Sequence, residues 1–122
     1  MSIWKNGVPQ PQDLTHYETP TLVEHLGIEV IDATENSLTA RMPVDGRTVQ
    51  PHGRLHGGAS VALAETIGSI ASNLTLDSSE QVGVGLEINA NHIRPVMSGY
   101  VYATATPEAL GRTTQIWSIR IV

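Results

Sequence analysis

Several residue types are scarce in this sequence of 122 residues, and each absence excludes a class of protein. There is no cysteine, which excludes disulfides, thiolate metal sites and cysteine nucleophiles. There is no phenylalanine, and with only two tryptophans and three tyrosines the core must be built from aliphatic side chains. The seven basic residues do not cluster and the formal net charge is −5, which argues against a nucleic-acid-binding protein.

Long apolar runs are missing as well. The N-terminal residues lack the apolar core of a signal peptide. The longest apolar stretch, residues 59–76, carries Glu65, Ser69, Ser72 and Asn73, so it does not predict a membrane span. We therefore expect a cytoplasmic protein with no membrane partner. The length predicts a single domain, residues 1–122, with residues 1–18 forming an irregular N-terminal arm and Trp4 packed on the body.

Hydrophobic periodicity predicts an α+β chain. Thr19 and Pro20 are typical of an N-cap and a first helical residue, and Gly27 fits the position just after that short helix. Alternation predicts strands at residues 28–34, 37–44, 81–93, 99–108 and 112–122, with turns at 35–36 and 109–111. A long helix covers residues 59–76, behind a turn-rich loop. This order is typical of an antiparallel sheet wrapped around one central helix.

The long helix has two unlike faces. One is an apolar stripe of Leu63, Ile67, Ile70 and Leu74, and the other places Glu65 among mostly small residues. Glu65 is the only formally charged side chain between Arg54 and Asp77. A lone carboxylate on such a helix is costly unless it is paired, protonated or used. Glu65 is therefore either solvated or paired with an arginine, or it lines a pocket as a base or nucleophile.

The start of the helix offers a second chemical element. Gly57 and Gly58 present backbone N–H groups at a helix N-terminus, where donors and helix dipole favour negative charge on an oxygen. Along the helix axis, roughly 12 Å separates position 57 from Glu65.

The remaining polar candidates each have a structural interpretation beside a functional one. Gln50 could cap its loop, His56 could bond the start of the helix, Ser69 could pack within its own turn, and His92 could be a satisfied core histidine. Arg94 and Arg112 lie at strand ends, where solvated surface is the common outcome and a phosphate contact the alternative. No pair among the five histidines has convincing metal-ligand spacing, so we predict no metal and no cofactor.

Two segments carry a family resemblance, MPVDGRTVQPHGRLHGGASVALAETIGS and VGLEINANHIRPVMSG. The sequence resembles the hotdog-fold acyl-CoA thioesterases of the PaaI-like superfamily. It is most similar to the branch with the enterobactin proofreading, the 1,4-dihydroxy-2-naphthoyl-CoA and the Arthrobacter-type 4-hydroxybenzoyl-CoA thioesterases. The resemblance implies a long helix wrapped by an antiparallel sheet, and dimers or tetramers with active sites between subunits. Family members continue past the strand that contains Trp117 into a final strand, whereas this sequence ends at Val122.

The resemblance also implies roles for individual residues. Glu65 matches the catalytic carboxylate, as nucleophile or general base, and Gly57 matches the N–H that polarises the thioester carbonyl. Gln50 and His56 match groups that orient the thioester and the leaving thiolate, and Ser69 matches a group that positions water or the carboxylate. His92 matches a residue near the acyl group, with Gly58, Arg94 and Arg112 as further candidates for substrate binding. The expected function is thioester hydrolysis; alternatives are a hotdog protein that binds acyl thioesters without hydrolysis, or a hydratase.

Overall fold

A computed structural model describes all 122 residues. A 3₁₀ turn, Pro11–Asp13, and a short helix, α1 (Leu22–His25), precede the strands β1 (Glu29–Ala33) and β2 (Leu38–Pro43). The long helix α2 (Gly57–Leu74) follows, and then come β3 (Tyr100–Leu110) and β4 (Gln115–Ile121). The four strands form one antiparallel sheet in the order β1-β2-β3-β4. The α+β prediction is confirmed.

Helix α1 begins two residues later than predicted. Its N-cap is Thr21, whose hydroxyl accepts from the backbone N–H of Val23 at 3.3 Å, so the assignment of Thr19 as N-cap was wrong. Two threonines flank Pro20, and only the second has its hydroxyl over the free helical N–H groups. The end was predicted correctly, because Gly27 follows the C-cap with φ +72. The N–H of Ile28 returns to the carbonyl of Val23, which completes a Schellman motif.

The inner face of the sheet follows the predicted alternation in its two central strands. In β2, Leu38, Ala40 and Met42 are fully buried, and in β3 the buried residues are Val101, Ala103 and Ala105. A register shift between Val30 and Asp32 breaks the alternation in β1. Asp32, predicted to share a face with Ile28 and Val30, is therefore exposed while those two are buried.

Helix α2 packs its apolar stripe onto this sheet. Leu63 and Ile67 are fully buried, and Ile70 and Leu74 are partly buried against the same core. Full burial of a leucine or isoleucine side chain stabilises the fold by about 1.5–3 kcal/mol. The helix begins at Gly57 and ends at Leu74, so the predicted range of 59–76 was displaced by two residues.

The predicted strand at residues 81–93 is wrong. No residue between Gln81 and Ser98 belongs to a strand. This segment, which we call the α2-facing segment (residues 81–93), runs along the small-residue face of α2 instead. Its backbone bonds are few, and β4, which lines the same cavity, pairs only with β3. The alternation of side chains is compatible with a strand, but the backbone of this segment has no partner strand to pair with, so no sheet hydrogen bonds form.

The turn between the last two strands was placed too early. A register shift between Pro107 and Ala109 lets β3 continue to Leu110, so the predicted turn at 109–111 lies partly within the strand. The chain reverses at Gly111, whose N–H bonds the carbonyl of Thr114 at 2.9 Å. As a result β4 begins at Gln115, three residues later than predicted.

The N-terminal arm packs on the body as expected. Trp4 is 4% exposed and stacks on Trp117 of β4, with ring centroids 6.3 Å apart. Its indole N–H donates to the carbonyl of Thr34 at 2.6 Å. The arm is irregular apart from the 3₁₀ turn at Pro11–Asp13.

Candidate active site

A large open cavity of about 2050 Å³ lies between α2, the α2-facing segment and β4. β4 and the α2-facing segment do not pair with each other across it, and this side of α2 is not covered by the sheet. Seven of the nine candidate residues line it: Gln50, Gly57, Glu65, Ser69, His92, Arg94 and Arg112. The other two, His56 and Gly58, lie beside it at the start of α2.

Glu65 opens onto this cavity as an unpaired carboxylate. Its side chain is exposed and takes part in none of the three ion pairs of the chain, so no arginine of the same chain pairs with it. It lies on the face of α2 that is opposite the buried stripe, beside Gly68 and Ser69. An unpaired carboxylate is free to accept a proton or to attack an electrophile.

The start of α2 presents one free backbone donor. His56 is the N-cap, and its Nδ1 atom accepts from the N–H of Gly58 at 2.8 Å. The expectation that Gly57 and Gly58 both offer free N–H groups is therefore wrong for Gly58. The N–H of Gly57 has no acceptor within the chain. Because Nδ1 acts as an acceptor, the imidazole Nε2 is left to carry the proton.

The side chains of Gln50 and Ser69 differ in how many hydrogen bonds they make within the chain. The Oε1 atom of Gln50 accepts from the backbone N–H of His52, so this amide caps its own loop, and its NH₂ group has no partner in the chain. The Ser69 hydroxyl makes no hydrogen bond, unlike Thr66, which bonds the carbonyl of Ala62 at 2.7 Å. Both residues thus keep a polar group available at the cavity.

His92 and Arg94 lie near the start of α2, whereas Arg112 lies in the β3–β4 turn, which packs near the C-terminal end of α2. The imidazole of His92 lies over Gly57, since a Cβ atom placed there would come within 3.0 Å of its Nε2 atom. His92 is exposed rather than a core residue. Arg94 and Arg112 form no ion pair, whereas Arg41 and Arg47 do.

Three residues at the site were not singled out from the sequence. The side chain of Asn73 bonds both backbone groups of Gly83, donating to its carbonyl at 3.0 Å and accepting from its N–H at 2.8 Å. Gly85 lies against the carboxylate of Glu65. The sequence feature that could have indicated them is the pair Gly83 and Gly85, which are two residues apart and so share one face of an extended segment.

Shifted pKa values occur away from the cavity. The hydrogen bond from the Arg47 guanidinium holds the pKa of Asp45 below its ordinary value. The hydroxyl and backbone N–H of Ser79 do the same to the pKa of Asp77. Both carboxylates are partly exposed loop groups that organise turns and do not line the cavity, so neither is a candidate for its chemistry.

The sequence profile of the thioesterase superfamily matches residues 52–122, which include all of α2 and the cavity-lining strand. The chain belongs to the thioesterase superfamily. This thioesterase is 50% identical over 119 residues to the proofreading thioesterase EntH of Cronobacter turicensis, covering 98% of this chain and 85% of EntH.

Solved structures of related proteins share the fold of this thioesterase. A mutant of thioesterase PA1618 from Pseudomonas aeruginosa superposes with a TM-score of 0.95 at 48% identity, covering 99% of this chain and 86% of that one. The PaaI protein of Escherichia coli gives a TM-score of 0.75 at 28% identity, covering 87% and 75%. The predicted hotdog fold, the PaaI-like family and the assignment as a thioester hydrolase are confirmed. No helix of this thioesterase combines the length and apolar character that a membrane crossing requires.

Proposed function

We propose that this thioesterase hydrolyses an acyl-CoA, with an aromatic or related acyl group, and that Glu65 supplies the catalytic carboxylate. The observation that carries the proposal is an exposed, unpaired Glu65 on the cavity face of α2; the free N–H of Gly57 at the helix start is the donor that a second copy of the chain can bring to it. A thioesterase needs one group that delivers a nucleophile to the carbonyl carbon. It also needs one donor for the oxyanion that forms.

The spacing of these two groups supports a site shared between two copies of the chain. A donor must lie about 3 Å from the developing oxyanion, and the nucleophile must approach the same carbonyl to about 3–3.5 Å. Eight residues of helix separate Gly57 from Glu65 by about 12 Å along the axis, which is too far for one thioester. We therefore assign Gly57 and Glu65 of one active site to two different subunits of a homodimer, which could pair further into a tetramer.

The surface of the α2-facing segment is consistent with a second copy. Val82, Val84, Leu86 and Ile93 are each more than three quarters exposed, and all are apolar. A run of exposed aliphatic side chains on one segment is typical of a protein interface. A second copy placed against this segment would cover them and bring its own α2 toward the cavity.

The reaction follows from these groups in either of two ways. As a general base, Glu65 takes a proton from water while the oxygen of that water attacks the thioester carbonyl carbon. The negative charge moves onto the carbonyl oxygen, where the N–H of Gly57 stabilises it. The tetrahedral intermediate then collapses, the C–S bond breaks, and Glu65 passes the proton that it took from water to the leaving thiolate. As a nucleophile, Glu65 itself attacks, the thiolate leaves, and water hydrolyses the resulting anhydride.

The other groups at the cavity would orient the substrate. The free NH₂ group of Gln50 and the Nε2–H of His56 can donate to the thioester and the leaving thiolate. The free hydroxyl of Ser69, one turn after Glu65, can hold water. His92, over Gly57, would contact the acyl group, while Arg94 and Arg112, which have no ion pair, would contact the phosphates of CoA. Gly58 would give only close backbone approach, since its N–H is already bonded.

The test of Glu65 is free thiol release from aryl- and alkyl-CoA esters. Removing a general base or nucleophile costs about 10²–10⁴-fold in rate, so Glu65→Gln should lose at least that much kcat. Glu80→Gln is the control, because Glu80 is exposed but does not line the cavity. Equal rates for wild type and Glu65→Gln would exclude Glu65 as the catalytic carboxylate. Tight acyl-CoA binding without turnover by the wild type would favour the non-hydrolytic alternative.

The shared site is tested by complementation between two inactive variants. Gly57→Pro removes the proposed donor, and proline fits the first helical position after His56, whose ψ of 130 suits a residue before proline. Gly57→Ala keeps the N–H and is the steric control. In co-expressed Glu65→Gln and Gly57→Pro chains, half the dimers are mixed and each has one intact site, so activity should return to about a quarter of wild type. A site within one chain predicts no recovery.

A further inference from the structure

We propose that Gly85 is a positioning residue for Glu65: its lack of a side chain creates the space that the carboxylate occupies. This inference rests on the proposed role of Glu65. A Cβ atom built on Gly85 would overlap the Oε1 atom of Glu65 and would lie 3.1 Å from Cδ and 3.4 Å from Oε2. All three nearest atoms belong to that one carboxylate, so the carboxylate lies directly against the backbone of Gly85.

Backbone conformation does not account for a glycine at this position. Four glycines have positive φ, namely Gly7, Gly27, Gly53 and Gly99, and Gly85 is not among them. An alanine could therefore adopt the local backbone without strain. The nearest obstacle to a methyl group at position 85 is the carboxylate of Glu65.

Asn73 holds the α2-facing segment at the distance that this fit requires. Its side-chain amide makes a two-point contact with the backbone of Gly83, with bonds of 2.8 and 3.0 Å, and its second N–H donates to the carbonyl of Ser69 at 2.9 Å. Every donor of this amide is thus used, and one side chain links α2 to a backbone position two residues before Gly85. The hydrogen bonds of Asn73 hold the segment in place of the strand-to-strand hydrogen bonds that it lacks.

The consequence is a carboxylate confined from two sides. On the helix, Glu65 is fixed at its Cα by the regular backbone of α2. On the other side, contact with Gly85 limits how closely the carboxylate can approach the α2-facing segment, while the side toward the cavity stays open. A reactive group held in this way loses less orientational freedom when substrate binds, which favours the rate of the chemical step over substrate affinity.

The test compares alanine substitutions at two glycines of the segment. Gly85→Ala should lower kcat by about 100-fold, because the carboxylate must shift by about 1 Å and a shift of that size costs about that factor. KM should change by less than about threefold, since the contacts that bind substrate and transition state equally are unchanged. Gly83→Ala, whose methyl would meet the Ser72 hydroxyl at 2.8 Å and not Glu65, should lose no more than a few-fold.

A double-variant cycle separates this specific contact from a general disturbance of the segment. Glu65→Asp shortens the side chain and withdraws the carboxylate from the methyl group of Gly85→Ala. The fall in kcat caused by Gly85→Ala should therefore be at least tenfold smaller in the Glu65→Asp background than in wild type. Gly46→Ala, at an open glycine without positive φ, controls for the substitution itself.

The outcomes distinguish this inference from the proposed function. If Glu65→Gln abolishes turnover but Gly85→Ala retains wild-type kcat, the positioning role of Gly85 is refuted while Glu65 keeps its role. Equal losses in Gly83→Ala and Gly85→Ala, or additive effects in the cycle, would also refute it. If Glu65→Gln is fully active, the proposed function fails independently of Gly85.

Discussion

The N-cap of α2 makes a quantitative prediction about stability. The Nδ1 atom of His56 accepts from the N–H of Gly58 at 2.8 Å, and no other side chain is bonded to the first turn. His56→Ala removes the acceptor and leaves that donor to water. Loss of an N-cap costs about 1 kcal/mol, within a range of 0.5–2. His56→Asn keeps a side-chain oxygen of the preferred cap type at the same position.

This loss of free energy corresponds to a fall in the melting temperature, Tm. Unfolding entropy near the midpoint is about 2.1 cal/mol/K per residue, so for the whole chain a loss of 1 kcal/mol lowers Tm by about 4 °C. His56→Ala should therefore unfold about 4 °C below wild type, and His56→Asn within about 1 °C of it. The assay is thermal unfolding followed by circular dichroism at one protein concentration, because association also shifts Tm.

One result would refute the reasoning about the cap. If His56→Ala unfolds at the wild-type temperature, the bond between His56 and Gly58 does not stabilise α2. If Asn and Ala are equally destabilised, the imidazole contributes through some contact other than the cap. Thioester hydrolysis by the Asn variant then addresses a separate matter, the proposed donor role of the Nε2–H.

Two further predictions concern the loops that frame the sheet. Gly27→Ala should destabilise the fold by about 1–2 kcal/mol or more, because φ is +72 and the new methyl would lie 2.9 Å from Pro43. Gly46→Ala, in open space, should stay within about 0.5 kcal/mol of wild type in urea unfolding. The lowered pKa of Asp45, caused by Arg47, stabilises the folded state above the ordinary carboxyl pKa and is lost as pH falls through the lowered value. The Tm difference between wild type and Asp45→Asn should therefore shrink as pH is taken from 7 to 2, and a constant difference would contradict that linkage.

Much of the fold followed from local patterns in the sequence. The alternation of Leu38, Ala40 and Met42 identified the inner face of the sheet, and the 3.6-residue period of Leu63 and Ile67 identified the buried face of α2. These predictions succeeded because one buried face imposes a period on the sequence. The N-cap of α1 was harder to locate, since the hydroxyls of Thr19 and Thr21 are chemically equal and only geometry selects one.

The failure at residues 81–93 has a different cause. A strand is defined by a partner, and pairing is a property of distant chain segments that no local pattern contains. The same limit applies to the site. Glu65 became a candidate because a single charge on an apolar helix is conspicuous, whereas the contacts of Asn73 and Gly85 are with residues that only the fold brings near them. The bond that occupies the N–H of Gly58 was one of two interpretations that the sequence offered for His56, and only the position of the ring decides between them.

The stack of Trp4 on Trp117 gives this protein an optical signal tied to a single location. These are the only two tryptophans of the chain, and with three tyrosines and no phenylalanine they dominate its ultraviolet emission. One ring belongs to the N-terminal arm and the other to β4, beside the cavity. A change in emission on adding an acyl thioester would thus report on the junction of arm and sheet. Detachment of the arm could be followed in real time without attaching a dye.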